Sequence, residues 1–224
     1  MLILYHIIDL KKMASISETI KNHPKLKKLV HWTIVRANEA RPRRWIQWFI
    51  NPFFHKMGKG SKIRRRTRID VMPFNKFELG QNSTIEDFST INNGVGDVLI
   101  GNNTLIGMSN VIIGPVRIGD NTIIAQNVVI SGLNHEYNDV SVPIAKQPVS
   151  TNKIVIEDDC WIAANVVITA GITVGKHCVI AAGSVVTKTI PPFSVAAGNP
   201  AKIIKTYDPK LKSWVRITSG DNNH

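Results

Sequence analysis

Few residues of this chain have types and settings suited to chemistry. His135 stands in Ser131-Gly132-Leu133-Asn134-His135-Glu136, and an imidazole can accept and return a proton near neutral pH. It lies in Ser131 to Lys153, a stretch that interrupts an otherwise periodic region, and such projecting loops often carry function. His177 is the other histidine of that region, so the three converging imidazoles of a zinc centre are missing and no metal is expected. Cys160 and Cys178 are eighteen residues apart, a spacing that puts both thiols inside the fold described next, away from any substrate.

The elements that must position these groups follow from a repeat of six. An aliphatic residue recurs at Leu79, Ile85 and Ile91, then after a short insertion at Ile100, Ile106, Ile112, Ile118, Ile124 and Ile130. It resumes at Ile156, Ile162, Ile168, Val174, Ile180 and Val186. Six is neither the helical period nor simple alternation. A short strand plus a tight turn consumes about six residues, with Gly, Asn and Asp supplying turn conformations of positive φ. Gly101-Asn102-Asn103 and Gly119-Asp120-Asn121 read as such corners. Three faces close a triangular coil of eighteen residues, and fifteen hexads give about five coils of a parallel β-helix. Ile100 should stack on Ile118, Ile162 on Ile180, and Ile168 on Val186, about 4.8 Å apart. Asn110 occupies an inward slot where a small residue is expected, which reads as an asparagine ladder or a corner.

Composition frames the rest. The chain has 224 residues, 43% apolar, enough to bury a core. Its net charge of +12 is uneven: residues 1–70 hold 17 Lys/Arg against 4 Asp/Glu (+13), residues 71–224 hold 11 against 12 (−1). Two cysteines exclude a disulfide scaffold. No apolar run approaches the ~20 residues a bilayer span needs, so a cytoplasmic location is expected.

The hexads, the corner Gly114-Pro115-Val116, the segment Asp159-Cys160-Trp161-Ile162-Ala163-Ala164-Asn165, and the ending Ala182-Gly183-Ser184-Val185-Val186-Thr187-Lys188 with Ala197-Gly198-Asn199-Pro200-Ala201-Lys202 carry a resemblance. Over about 75–205 the chain resembles the hexapeptide-repeat acyltransferases, most of all sugar O-acetyltransferases of the maltose, galactoside and capsular-polysaccharide type. The resemblance implies an all-β, left-handed parallel β-helix, a homotrimer with active sites between subunits, and acetyl-CoA as donor. It implies His135 as general base, with Asn110 and Trp161 near the acceptor. Ala163, Ala164, Ala182, Thr187 and Lys188 match the family's coenzyme-contacting stretch, and Lys202 and Lys205 match cations near the coenzyme phosphates. The expected activity is acetyl transfer to a sugar hydroxyl in surface polysaccharide synthesis. Another acceptor (an amino sugar, serine or antibiotic) and a non-catalytic assembly role are the alternatives.

The domain plan is then a basic, mainly helical extension (1–60), the β-helix (61–205, with the loop 131–155), and a tail (206–224) that reads as a short helix and loose residues. Within the extension, residues 14–50 read as helical. Arg41-Pro42 closes one helix and Asn51-Pro52 the next. Arg43-Arg44-Trp45-Ile46-Gln47-Trp48-Phe49-Ile50 pairs cations with aromatics. The extension reads as a cap on the first coil, as a peripheral contact with an anionic membrane, or both. No nucleic-acid-binding signature is present, and none is expected as a partner.

Overall fold

The computed structural model describes residues 23–36 and 39–217. The start of the expected helical stretch and the loose residues from 218 on lie outside them.

The β-helix has six coils. Its first face stacks Lys56–Met57, Phe77–Leu79, Val98–Ile100, Val116–Ile118, Ile154–Ile156 and Thr173–Val174, all parallel. The second stacks Lys62–Ile63, Thr84–Ile85, Leu105–Ile106, Ile123–Ile124, Trp161–Ile162 and Val179–Ile180. The third stacks Arg68–Asp70, Thr90–Asn92, Val111–Ile113, Val129–Ser131, Val167–Ile168 and Val185–Val186. The expected stacks of Ile100 on Ile118, Ile162 on Ile180 and Ile168 on Val186 are observed. The count of five coils is corrected to six. A further coil, 56–70, precedes the one containing Leu79, and it escapes the periodicity because ten residues, not six, separate Ile69 from Leu79.

Period six works because each hexad sends one aliphatic side chain inward. Ile85, Ile91, Ile106, Ile112, Ile124, Ile130 and Ile162 are fully enclosed and touch their equivalents one coil away. Each such burial contributes roughly 1.5–3 kcal/mol. The second inward position, at the corners, is filled by Ser83, Thr104, Thr122, Cys160, Cys178 and Ser194 on one edge, and by Ser89, Asn110, Val128, Val166 and Ser184 on another. Hydroxyls there bridge coils: Thr104 Oγ1 donates to the Gly119 carbonyl at 2.8 Å. The division of labour at the corners differs from expectation. Asn103 and Asn121 carry the positive φ (52° and 54°), whereas Gly101 lacks a Cβ because one would lie 2.6 Å from the Gly119 backbone in the next coil.

The ends depart most from the sequence reading. After the sixth coil, Ser194–Ala197 continues the second face, and Lys202–Asp208 and Ser213–Arg216 extend it antiparallel. The tail is therefore a strand where a short helix was expected. Trp214 and Val215 pair with Tyr207 and Thr206, and Trp214 lies against His177 and Tyr207, so ring packing and ladder bonds outweigh helical propensity. At the other end the helices are Pro24–Ile34, Arg44–Phe49 and Asn51–Phe54. The helix Arg44–Phe49 ends just before Asn51-Pro52, as expected, and Asn51-Pro52 also opens a new turn, because proline is tolerated at a first turn. Asn51 Nδ2 donates to the Val71 carbonyl at 2.9 Å, and Arg41 pairs with the buried Asp70 at 3.1 Å. With Val35, Ile46 and Met72 buried, these contacts fasten the extension to the first coil.

Candidate active site

His135 is carried by a two-stranded ribbon, Leu133–His135 paired antiparallel with Val149–Thr151, His135 opposite Val149. The ribbon leaves the corner between the third and first faces after Ser131 and returns at Ile154. The coils close around the insertion without losing register: Val116 pairs with Ile154 and Val129 with Val167. Its base is clamped. Gly132 N donates to Ile113 O, Asn152 N to Gly132 O, and Ile154 N to Pro115 O, all at 2.9–3.0 Å. Gly132 is required there, since a Cβ would meet the Pro115 carbonyl at 2.8 Å. The tip is tied internally: Gln147 Nε2 donates to the carbonyls of Asp139 and Val142 at 2.8 Å, and Ser141 Oγ to Asp139 Oδ1 at 2.6 Å. A structured ribbon thus stands where the sequence showed only an interruption.

The His135 side chain is exposed, and its imidazole has no hydrogen-bond partner among the described residues of this chain. Tyr137, Val140, Ile144 and Val149 on the same ribbon are also exposed, Val140 completely. These apolar residues escaped the sequence reading, which looked in the loop only for a titratable group; their density in a solvent-facing loop was the available signal.

The other expected site residues fall into separate groups. Ala163 and Ala164 lie at the corner between the second and third faces, and Gly183 N donates to the Ala164 carbonyl at 2.9 Å, which sets Ala182 and Gly183 one coil below. Gly198 follows in the same column, its N–H bonded to Ser184 Oγ at 3.1 Å. Lys202, exposed, pairs with Ala197, and the half-buried Lys205 with Val195. Thr187 and Lys188 are exposed at the corner between the third and first faces. That is the edge from which the His135 ribbon departs, two coils or about 10 Å further along the axis. The third face therefore separates the alanine edge from the histidine edge. Trp161, half-exposed, lies on the second face between Ile123 and Val179. One chain does not bring Trp161 and His135 to a common face.

Asn110 is the correction. It is fully buried, its Nδ2 donating to the carbonyls of Gly107 (2.9 Å) and Ala125 (2.8 Å), its Oδ1 accepting from Val128 N (2.6 Å). It sits in the corner column with Ser89 and Val128 and has no atom left for an acceptor. The thiols are equally enclosed. Cys160 Sγ donates to the Gly175 carbonyl at 3.1 Å and Cys178 Sγ to that of Pro191 at 3.0 Å. Both are free, and burial pushes Cys160 up to about 12 and raises Cys178 as well. Among the described residues no group of three or more His, Cys, Asp or Glu side chains is placed to hold a metal ion, and no helix is long and apolar enough to cross a membrane.

Residues 97–132 and 153–188 match the bacterial transferase hexapeptide family (six repeats). The match stops on both sides of the His135 ribbon. The chain is 29% identical over 186 residues to a probable acetyltransferase of Mycobacterium tuberculosis, which covers 82% of this chain and 58% of that one. It is 46% identical over 71 residues to the 2,3,4,5-tetrahydropyridine-2,6-dicarboxylate N-acetyltransferase of Brevibacillus brevis, 32% of this chain and 30% of that one. The chain thus spans between about a third and three-fifths of the length of these relatives. Among solved structures, a maltose O-acetyltransferase from Clostridium difficile is 27% identical with a TM-score of 0.50, covering 84% and 88% of the two chains. AntD, an N-acyltransferase from Bacillus cereus in complex with dTDP-4-amino-4,6-dideoxyglucose and coenzyme A, shares the fold at a TM-score of 0.62 and 21% identity, over 74% and 91%. Residues 97–132 and 153–188 are thus similar to the repeats of that family, and the chain shares a parallel β-helix with these solved structures.

Proposed function

We propose that the protein is an acetyl-CoA-dependent O-acetyltransferase acting on a sugar hydroxyl in surface polysaccharide synthesis. The observation that carries this is the exposed His135 on a ribbon clamped by backbone bonds to a regular hexapeptide prism. His135 takes the proton of the acceptor hydroxyl as its oxygen attacks the thioester carbonyl. The tetrahedral intermediate then collapses, the carbon–sulfur bond breaks, and the proton passes to the departing thiolate. No acyl group passes through a cysteine, because both thiols are buried and burial raises the pKa of each.

The residues present suit the donor. The column Ala163, Ala164, Ala182, Gly183 and Gly198 is free of bulky side chains, and at Gly183 a Cβ would meet nothing within 4 Å, so an extended pantetheine arm has room along that edge. Lys202 and Lys205 on the adjoining strand suit its phosphates as point charges, and Lys188 lies across the third face. The separation of Trp161 from His135 within one chain, and the exposed apolar residues Leu105, Ile123 and Trp161 along the second face, favour a homotrimer. In it the ribbon of one subunit completes the site of its neighbour. The location proposed is the cytoplasm, with peripheral contact at the membrane through the basic extension.

N-acetylation is the second reading, favoured by the 46% identical segment shared with an N-acetyltransferase. The test is thiol release from acetyl-CoA across a panel of neutral sugars, amino sugars and nucleotide sugars. Transfer to a hydroxyl supports the proposal, transfer confined to amines replaces it with the second reading, and no transfer with any acceptor or acyl-CoA overturns both.

A further inference from the structure

The helical segment 44–54 is inverted. Of its apolar side chains Ile46 is buried at 2% exposure, and the neighbouring Asn51 is buried on the same fastening. The aromatic rings point outward instead: Trp48 is 67% exposed, Phe49 66% and Phe53 84%, with Trp45 at 45%. Burying the larger rings would gain more than burying one isoleucine, so leaving all of them in water marks a surface meant for a partner.

The charge around them is one-sided. Residues 39–70 contain ten Lys/Arg and two Asp/Glu, a net of +8. Both acids are already engaged, Glu39 with Arg36 and Asp70 with Arg41 and Arg68. Among the described residues Arg44, Lys59, Lys62 and Arg65 form no ion pair, and all are exposed. The rest of the chain, 71–224, sums to −1. A second copy of this chain offers no complementary charge, its matching patch being +8 and its residues 71–224 summing to only −1, and is disfavoured as the occupant. An occupant that accepts aromatic rings and attracts lysine and arginine together is an anionic bilayer surface, where rings settle at head-group level and cations meet lipid phosphates.

We propose that Trp45, Trp48, Phe49 and Phe53, flanked by Arg44, Lys59, Lys62 and Arg65, form a docking surface for an anionic membrane. This rests on the peripheral contact put forward with the function and assigns its residues.

The test uses the full chain without donor or acceptor, so it stands apart from the proposed activity. Protein is sedimented with vesicles of phosphatidylcholine carrying about one-third phosphatidylglycerol, and with phosphatidylcholine alone, at about 0.1 M and about 0.5 M salt. The expected result is binding to the anionic vesicles only, at least tenfold weaker at high salt, with tryptophan emission shifting to the blue. W48A/F53A should weaken binding by about tenfold or more. K59Q/K62Q/R65Q, which leaves the rings in place, should weaken it by about a hundredfold, since each cation near an anionic surface contributes several-fold. Both variants should keep the parent's oligomeric mass. Equal binding to neutral vesicles, no vesicle binding, or variants that bind like the parent would overturn the proposal. So would a change of oligomeric mass in W48A/F53A, which would make this an interface between copies. Oligonucleotide binding without vesicle binding would replace the membrane with nucleic acid.

Discussion

Replacing Asn110 separates a structural from a catalytic reading of one residue. In Asn110→Ala the Gly107 carbonyl keeps a partner, because Ser89 Oγ donates to it at 2.9 Å. The Ala125 carbonyl and the Val128 N–H lose the partners recorded for them, Asn110 Nδ2 and Oδ1. Leaving each of these buried groups unpaired costs about 1–3 kcal/mol, so the variant should lose about 2–6 kcal/mol, or about 4–24 °C in Tm for a chain of this size. Asn110→Ser should recover most of this. One coil up in the same column, Ser89 donates to the next coil's carbonyl at 2.9 Å and accepts the next coil's Asn110 N–H at 3.1 Å. Those are the equivalents of the Ala125 and Val128 groups, so a serine at 110 should cost no more than about 1 kcal/mol. The assay is denaturant unfolding of both variants, with kcat/KM for acetyl transfer beside it. Activity of the serine variant should stay within about threefold of the parent, because residue 110 is closed to solvent. An alanine variant as stable as the parent would refute the ladder. A stable serine variant that loses acceptor affinity tenfold would refute the burial argument and restore Asn110 to the site.

His135→Ala should lower turnover by about 10²–10⁴ with oligomeric mass unchanged, since an exposed ribbon residue holds no part of the core; activity within a few-fold of the parent would remove His135 as the base. Iodoacetamide at pH 8 should leave activity intact, because burial holds Cys160 at about 12 and thus protonated; rapid inactivation mapped by mass spectrometry to Cys160 or Cys178 would contradict the enclosed thiols. His55 sits edge-on to Phe77, and burial lowers its pKa from 6.5 to about 4. The unfolded chain therefore binds this proton first, so the His55 contribution to stability is complete above pH 6.5 and declines as pH falls towards 4. His55→Leu should lack that component, and an unfolding free energy with the parent's slope between pH 6.5 and 4 would show that His55 is not its source.

The sequence by itself determined the prism. An aliphatic at every sixth position has one economical solution, a strand and a turn per hexad, and it fixed the stacking of Ile100, Ile162 and Ile168 in advance. It also singled out His135, because a break in a strict repeat is visible without coordinates. Contacts between coils decided what the repeat could not. Asn110 looked like a site residue because it broke the pattern, yet the structure shows three backbone partners for its amide, Gly107 in its own coil and Ala125 and Val128 in the next. The first coil was hidden by the ten-residue step from Ile69 to Leu79, since period detects spacing and not hydrogen bonding. The strand Ser213–Arg216 has too little periodicity to announce itself and exists because an open sheet edge and the Tyr207 and His177 rings receive it. Composition placed the +13 in the first 70 residues, but which rings beside it are buried was settled by the fastening of Ile46 and Asn51 to the first coil. A short helix has one inward face, and here the aromatics were left on the other.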